Sequence, residues 1–85
     1  MNYPEFTIYT IPNCLYCSKA KELLNDYNVI YSEILLNKNE YIEIVNIKIK
    51  TNTQIKTAPQ ILNKNELVGG YTELTHFLNN YYFDF

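Results

Sequence analysis

Cys14 and Cys17 are the only cysteines in this chain of 85 residues, and they follow an apolar run and precede a helix-forming segment. A thiol in the first turn of a helix lies near unpaired backbone N–H groups and the positive end of the helix dipole. Both stabilise a thiolate, and they lower the pKa of such a cysteine from about 8.5 to between about 3.5 and 7.5. A second cysteine one turn later can close on the first as a disulfide. The spacing therefore predicts thiol–disulfide redox chemistry.

The two thiols are expected to have different roles. Cys14 is predicted to lie at the exposed start of the helix and to act as the nucleophile. Cys17 is predicted one turn further in, where burial keeps its pKa higher and suits it to resolving a mixed disulfide. A chance buried pair is one alternative interpretation. A structural zinc site is another, but such a site needs about four ligands, and the chain adds only a distant His76.

Composition narrows the class of protein. The length allows one small domain over residues 1–85, and 47% hydrophobic residues suffice for a packed core. No apolar run reaches the roughly 18 residues of a membrane span, and residues 1–5 lack the features of a signal peptide. We therefore expect a cytoplasmic protein. The net charge of −2 and a basic set made of lysine alone argue against nucleic-acid binding.

Hydrophobic periodicity indicates alternating strands and helices. We expect strands at 6–10, 29–36, 60–63 and 66–68, and helices at 15–28, 39–52 and 72–82. The second strand is almost wholly apolar, which predicts a central place in the sheet. Asn28 is a plausible helix stop, and Lys64-Asn65 suits a tight hairpin turn.

Residues 39–52 also fit a strand in part, because Ile47 to Lys50 alternate in hydrophobicity. A helix is preferred, since two strands here would leave the second strand without a crossover. The order β-α-β-α-β-β-α then predicts an α/β fold with a four-stranded mixed sheet and flanking helices. Tyr3 and Tyr9 are assigned to the core or its rim, and the aromatic tail at 81–85 to packing.

Three short motifs stand out along the chain. They are Cys14-Leu15-Tyr16-Cys17, Thr57-Ala58-Pro59-Gln60-Ile61 and Gly69-Gly70-Tyr71-Thr72-Glu73-Leu74. Together they resemble the motifs of the glutaredoxins of the dithiol type, which have the thioredoxin-like fold. They lie in the family's order and at compatible spacings, and Tyr16 before the second cysteine favours glutaredoxin over thioredoxin.

The resemblance implies a glutathione site beside the cysteines. It implies a cis peptide bond at Ala58–Pro59, with the backbone N–H and C=O of Ala58 free to pair with the tripeptide. The γ-glutamyl carboxylate is expected on backbone amides around Thr72 and Glu73 at a helix start, with Thr72 as the N-cap and Glu73 on the ammonium group. The implied contact residues are Tyr16, Thr57, Ala58, Pro59, Gly70, Tyr71, Thr72 and Glu73.

The chain departs from the family at Ile11, three residues before Cys14, where glutaredoxins commonly carry a basic residue for the glycyl carboxylate. Loss of one charge-assisted hydrogen bond weakens binding by about 1.5–3 kcal/mol. Lys56, Lys19 and Gln54 are the candidate replacements.

The function implied is glutathione-dependent thiol–disulfide exchange on disulfide-bonded or glutathionylated proteins, with glutathione as co-substrate, no metal, and a monomeric state. Two alternatives remain open. One is a redoxin that is reduced by thioredoxin reductase and supplies ribonucleotide reductase, which the loss of the basic residue at Ile11 favours. The other is a dimeric carrier of a [2Fe–2S] cluster held by Cys14 and glutathione, which Leu15 permits because many dithiol members have proline there.

Overall fold

The structure is a computed structural model that describes residues 4–51 and 53–83. The elements follow one another in the predicted order β-α-β-α-β-β-α, so the predicted fold class is confirmed. They are β1 (Phe6–Thr10), α1 (Leu15–Asp26), β2 (Tyr31–Leu35), α2 (Lys38–Lys48), β3 (Gln60–Asn63), β4 (Glu66–Gly69) and α3 (Tyr71–Phe83).

The sheet has the strand order β2-β1-β3-β4. β1 pairs in parallel with β2 and antiparallel with β3, and β4 pairs antiparallel with β3, which confirms the mixed sheet. The prediction that β2 is central is wrong, because β1 holds that place and β2 lies at an edge. Ile34 and Leu35 are 36% and 60% exposed. An apolar run shows only that a strand is hydrophobic. Whether the strand has one neighbour or two depends on where the β3–β4 hairpin joins the sheet, and it joins beside β1.

The predicted element types are confirmed, and several of the predicted bounds are too wide. α1 ends at Asp26, and Asn28 stops it with a left-handed φ of 57° and an N–H donated to the Asn25 carbonyl at 2.9 Å. β2 is shorter than the predicted 29–36. α2 is a helix, as preferred, but it ends at Lys48, and residue 52 lies outside the described residues.

Helices cover both faces of the sheet because consecutive strand residues point in opposite directions. Ile8 belongs to the cluster beneath α1 and α3, and Tyr9 belongs to the cluster beneath α2. The first cluster comprises Phe6, Ile8, Ala20, Leu24, Val29, Ile61, Leu74 and Leu78. The second comprises Tyr9, Tyr41, Val45 and Ile49, with Ile11 packed against it. Tyr9 is thus a core residue, as predicted, whereas Tyr3 and the tail residue Phe85 lie outside the described residues.

A polar network joins β2 to the end of β1 and to α1. Thr10, which is 1% exposed, donates its hydroxyl to Glu33 Oε2 at 2.7 Å, and Lys21 of α1 donates to the same oxygen at 3.0 Å. The hydrogen bond from Thr10 has the largest effect and lowers the pKa of Glu33 from its ordinary 4.5. Burial opposes it, and the hydrogen bond and charge of Lys21 lower the pKa further. The ionised carboxylate therefore stabilises the folded state.

This network predicts a specific loss of stability in acid. Because the pKa of Glu33 is lower in the folded state than in the unfolded state, its contribution is present above about pH 4.5 and is lost as the pH falls through the lower folded value. We expect Glu33→Gln to have a lower urea midpoint than wild type at pH 7. At pH 3 the difference between the two midpoints should be smaller. Glu43→Gln, on the exposed face of α2, controls for removal of one negative charge. An equal deficit at both pH values would contradict the assignment.

Candidate active site

Cys14 lies at the junction between the loop after β1 and the start of α1. It is the N-cap residue of the helix, and its Sγ accepts the backbone N–H of Cys17 at 3.1 Å. That contact and the positive end of the helix dipole both stabilise negative charge on Sγ in the reduced form. The side chain is partly exposed, so an incoming disulfide can reach the sulfur.

Cys17 lies one turn further along α1 and is only 2% exposed. It forms a disulfide with Cys14, and the two Cα atoms are 5.2 Å apart, within the usual range of about 4.4–6.8 Å. The predicted closure of the pair as a disulfide is confirmed. The difference in exposure distinguishes the two sulfurs, because a substrate in solution can reach Cys14 Sγ and not the buried sulfur of Cys17.

The loop before β3 faces the exposed cysteine. The carbonyl oxygen of Ala58 lies 3.8 Å from Cys14 Sγ, and the Ala58–Pro59 peptide bond is cis, as the resemblance predicts. Pro59 is buried. Gln60 at the start of β3 donates its amide to the carbonyl oxygen and the hydroxyl of Thr57, at 3.3 Å each. The backbone of this loop is thus held against the disulfide.

The third motif forms the start of α3. The helix begins at Tyr71, so the prediction of Thr72 as its N-cap is wrong. Gly70 takes the cap position instead, and its N–H donates to Glu73 Oε1 at 2.7 Å. This is the reciprocal half of a capping box, in which a carboxylate at the third helical position satisfies the N–H of the cap residue. Because the helix begins at Tyr71, Thr72 lies within its first turn and not at the cap position.

Gly69 is needed for this turn. Its φ of +124° is a backbone conformation that side chains rarely adopt, and an added Cβ would lie 2.8 Å from Cβ of Glu73. The Gly-Gly pair therefore lets the chain end β4 and enter α3 within one residue. The first N–H groups of α3 point out of the helix end and have no partner within the helix.

One cleft of about 190 Å³ brings the predicted contact residues together beside the cysteines. Its walls are the loop before β3 and the start of α3, and Tyr16 of α1 forms its edge. The rings of Tyr16 and Tyr71 have centroids 5.8 Å apart, and Lys19 Nζ lies 5.3 Å from the centre of the Tyr16 ring. The lining residues are Tyr16, Thr57, Ala58, Pro59, Gly70, Tyr71, Thr72 and Glu73.

Ile11 packs against the apolar cluster beneath α2, so this position contributes packing where the family commonly has a charge. Of the candidate replacements, Lys19 lies over the ring of Tyr16, and it lines a separate cavity beside α1. Lys56 and Gln54 are exposed residues of the loop that leads into Thr57. These three remain predictions as ligand contacts.

Two α2 residues that support the cleft are not signalled by the sequence. Tyr41 matches the apolar face of a helix in periodicity, and Asn46 matches no motif, yet both hydrogen-bond the loop before Ala58.

A larger cavity of about 630 Å³ lies at the opposite end of the sheet, along the starts of β1 and β2. Because it is a strand length away from Cys14, we assign it no redox role.

Within residues 4–51 and 53–83, no cluster of three or more His, Cys, Asp or Glu side chains is placed to hold a metal ion. None of the helices described is long and apolar enough to cross a membrane.

A family model described as Glutaredoxin matches residues 6–68. The chain belongs to the glutaredoxin family. The match covers the cysteine motif and the loop at Pro59, and it ends just before Gly69. Thiol–disulfide exchange is the chemistry that this arrangement of Cys14 and Cys17 can perform.

Curated glutaredoxins resemble this chain at the level of sequence. It is 45% identical over 67 residues to glutaredoxin 1 of Rickettsia typhi, which is 79% of this chain and 64% of that protein. It is 44% identical over 63 residues to glutaredoxin 1 of Rickettsia felis, which is 74% of this chain and 61% of that protein. The chain thus matches somewhat less than two thirds of the length of these relatives.

A solved structure extends the likeness to nearly the whole chain. The crystal structure of glutaredoxin 1 from Francisella tularensis, complexed with cacodylate, superposes with a TM-score of 0.78 at 28% sequence identity. The superposition covers 93% of this chain and 96% of that one. The thioredoxin-like fold that the motifs imply is therefore confirmed, including the α3 end that the family model omits.

Proposed function

We propose that this protein is a glutathione-dependent thiol–disulfide oxidoreductase that acts in the cytoplasm on disulfide-bonded and glutathionylated proteins. The observation that carries the proposal is the placement of the partly exposed Cys14 sulfur beside a cleft with peptide-binding features. The Ala58 carbonyl, 3.8 Å from Cys14 Sγ, is a backbone group that an extended peptide can pair with. The start of α3 supplies N–H groups that suit a carboxylate.

The exchange begins with the Cys14 thiolate. It attacks one sulfur of a substrate disulfide, a bond forms between the two sulfurs, and the other substrate sulfur leaves as a thiolate that takes up a proton. In the dithiol route the Cys17 thiolate attacks Cys14 Sγ and releases the second substrate thiol, which leaves the Cys14–Cys17 disulfide. Two glutathione molecules then reduce this disulfide in sequence and depart as glutathione disulfide.

In the monothiol route Cys14 acts alone. It takes the glutathione sulfur from a glutathionylated protein and releases the protein thiol. A second glutathione then attacks the mixed disulfide at the glutathione sulfur, which regenerates the Cys14 thiolate and releases glutathione disulfide. This route has no need of Cys17, so the two routes make different demands on the same site.

Glutathione is expected to lie with its cysteinyl sulfur at Cys14 and its backbone along Ala58. The γ-glutamyl carboxylate is expected to bind N–H groups at the start of α3. Glu73 Oε1 is occupied by the Gly70 N–H at 2.7 Å, which leaves Oε2 for the γ-glutamyl ammonium group. Lys19, which lies over the ring of Tyr16, is one source of positive charge for the glycyl carboxylate in place of Ile11.

The proposal is tested by NADPH oxidation with a small disulfide substrate. One assay contains glutathione and glutathione reductase, and the other contains thioredoxin reductase. We expect turnover above the uncatalysed glutathione background in the first assay only. Turnover only in the second would overturn glutathione dependence and support a redoxin that is reduced by thioredoxin reductase.

That redoxin, with ribonucleotide reductase as its client, is the second candidate function. The packing of Ile11 into the apolar cluster beneath α2 favours it, because the position offers no charge to glutathione. An iron–sulfur carrier is the third candidate, and an anaerobic preparation distinguishes it. Brown protein that loses its colour on Cys14→Ser substitution would support a cluster, whereas colourless protein with full turnover supports the oxidoreductase.

A further inference from the structure

Between α2 and β3, the described residues 49–51 and 53–59 lie in neither helix nor strand, yet the last of them form one wall of the cleft. A loop of this kind has no ladder of hydrogen bonds to hold it in place. Two side chains from α2 supply the missing contacts, one buried and one partly buried. They are Tyr41 and Asn46.

Tyr41 holds the carbonyl of Thr57. Its ring is 2% exposed within the cluster beneath α2, and its hydroxyl donates to the Thr57 carbonyl oxygen at 2.7 Å. Burial raises the pKa of Tyr41 well above its ordinary value. The phenol therefore stays protonated at neutral pH and remains a hydrogen-bond donor. The contact joins the rigid core to the residue just before Ala58.

Asn46 holds the backbone of Ile55. Its amide nitrogen donates to the Ile55 carbonyl oxygen at 2.9 Å and to the Ile42 carbonyl oxygen at 2.6 Å. Its amide oxygen accepts the Ile55 N–H at 2.7 Å. Both backbone groups of Ile55 are thus bound by one side chain, as in a short stretch of sheet.

We propose that Tyr41 and Asn46 are positioning residues that hold the Thr57–Ala58 backbone where it binds glutathione. The inference rests on the proposed function. Neither side chain lines the cleft, so each acts through the loop. The binding of a substrate that pairs with backbone groups depends on where those groups lie. A misplacement of about 1 Å can lower the rate of reaction on the order of 10²-fold. We call the two side chains, Tyr41 and Asn46, the clamp. Loss of either is expected to raise the KM for glutathione.

The test compares Tyr41→Phe with wild type in the glutathione reductase assay. The variant keeps the buried ring and removes one hydrogen bond, so we expect the KM for glutathione to rise about 3- to 10-fold, with kcat changed less than about twofold. Tyr27→Phe is the matched control, because it also removes a tyrosine hydroxyl hydrogen bond, to Asn79 at 3.0 Å, away from the cleft. A wild-type KM in Tyr41→Phe, whatever its melting temperature, would overturn the inference.

Asn46→Ala tests the other half of the clamp, with the same expected direction. If a variant does not fold, hydrogen exchange on the reduced wild-type protein tests the same contact without a substitution. The Ile55 amide is expected to be protected before glutathione is added, and an unprotected Ile55 amide would overturn the clamp. Absence of glutathione turnover in wild type would instead overturn the proposed function, so the two failures can be told apart.

Discussion

Cys14→Ser is expected to lower thiol–disulfide exchange by about 10³-fold or more, in both the dithiol and the monothiol routes. A serine hydroxyl is not ionised at neutral pH and cannot form a disulfide. The fold should be unaffected, because Cys14 is the N-cap of α1 and serine is among the preferred N-cap residues. The measurement is NADPH oxidation with glutathione and glutathione reductase, for a small disulfide and for a glutathionylated protein.

The control for this substitution is the thermal unfolding midpoint, which should stay within a few degrees of the value for reduced wild type. Serine can accept the Cys17 N–H as the sulfur does at 3.1 Å. Loss of activity with an unchanged midpoint would assign the effect to chemistry. Substantial turnover by Cys14→Ser would show that another group is the nucleophile.

Cys17→Ser is expected to separate the two routes. Reduction of disulfides that need the dithiol route should fall about tenfold or more, because an intramolecular thiol with its Cα 5.2 Å away attacks far faster than one from solution. Deglutathionylation should stay within about twofold of wild type, since Cys14 alone carries it. The two activities are measured in parallel, on a protein disulfide and on a glutathionylated protein.

A serine at position 17 is expected to lower the stability of the protein as well as its activity, because the position is buried. Cys17 is 2% exposed, and a buried hydroxyl without a partner costs about 1–3 kcal/mol. Cys17→Ala is therefore the matched variant, since it removes the thiol without adding a polar group. Equal losses of both activities in the alanine variant would contradict a resolving role for Cys17.

Local sequence signals account for most of the fold. The alternation in β1, the turn at Lys64-Asn65 and the stop at Asn28 each depend on residues within a few positions of one another. Such signals are short in range, so the sequence carries them in full. The bounds were less predictable because helix ends depend on capping contacts. Gly70 and Glu73 show this, since the Glu73 carboxylate of the first helical turn accepts the N–H of the cap residue Gly70.

The place of β2 shows a limit of another kind. Its apolar residues suggested a central strand, yet Leu35 is 60% exposed at the sheet edge. Strand neighbours follow from long-range pairing, and β1 takes β3 as its second partner across more than 50 positions of chain. Hydrophobicity along a strand cannot encode that choice.

The candidate site divides in the same way. The sequence alone determined the chemistry, because the spacing of Cys14 and Cys17 and the glycines before α3 act through local backbone geometry. Only the tertiary structure decided that these motifs share one cleft and that the Ala58 carbonyl lies 3.8 Å from Cys14 Sγ. It also decided that the hydroxyl of Tyr41 reaches Thr57, 16 positions along the chain. Packing brings such groups together through the whole core, and no single segment of sequence specifies it.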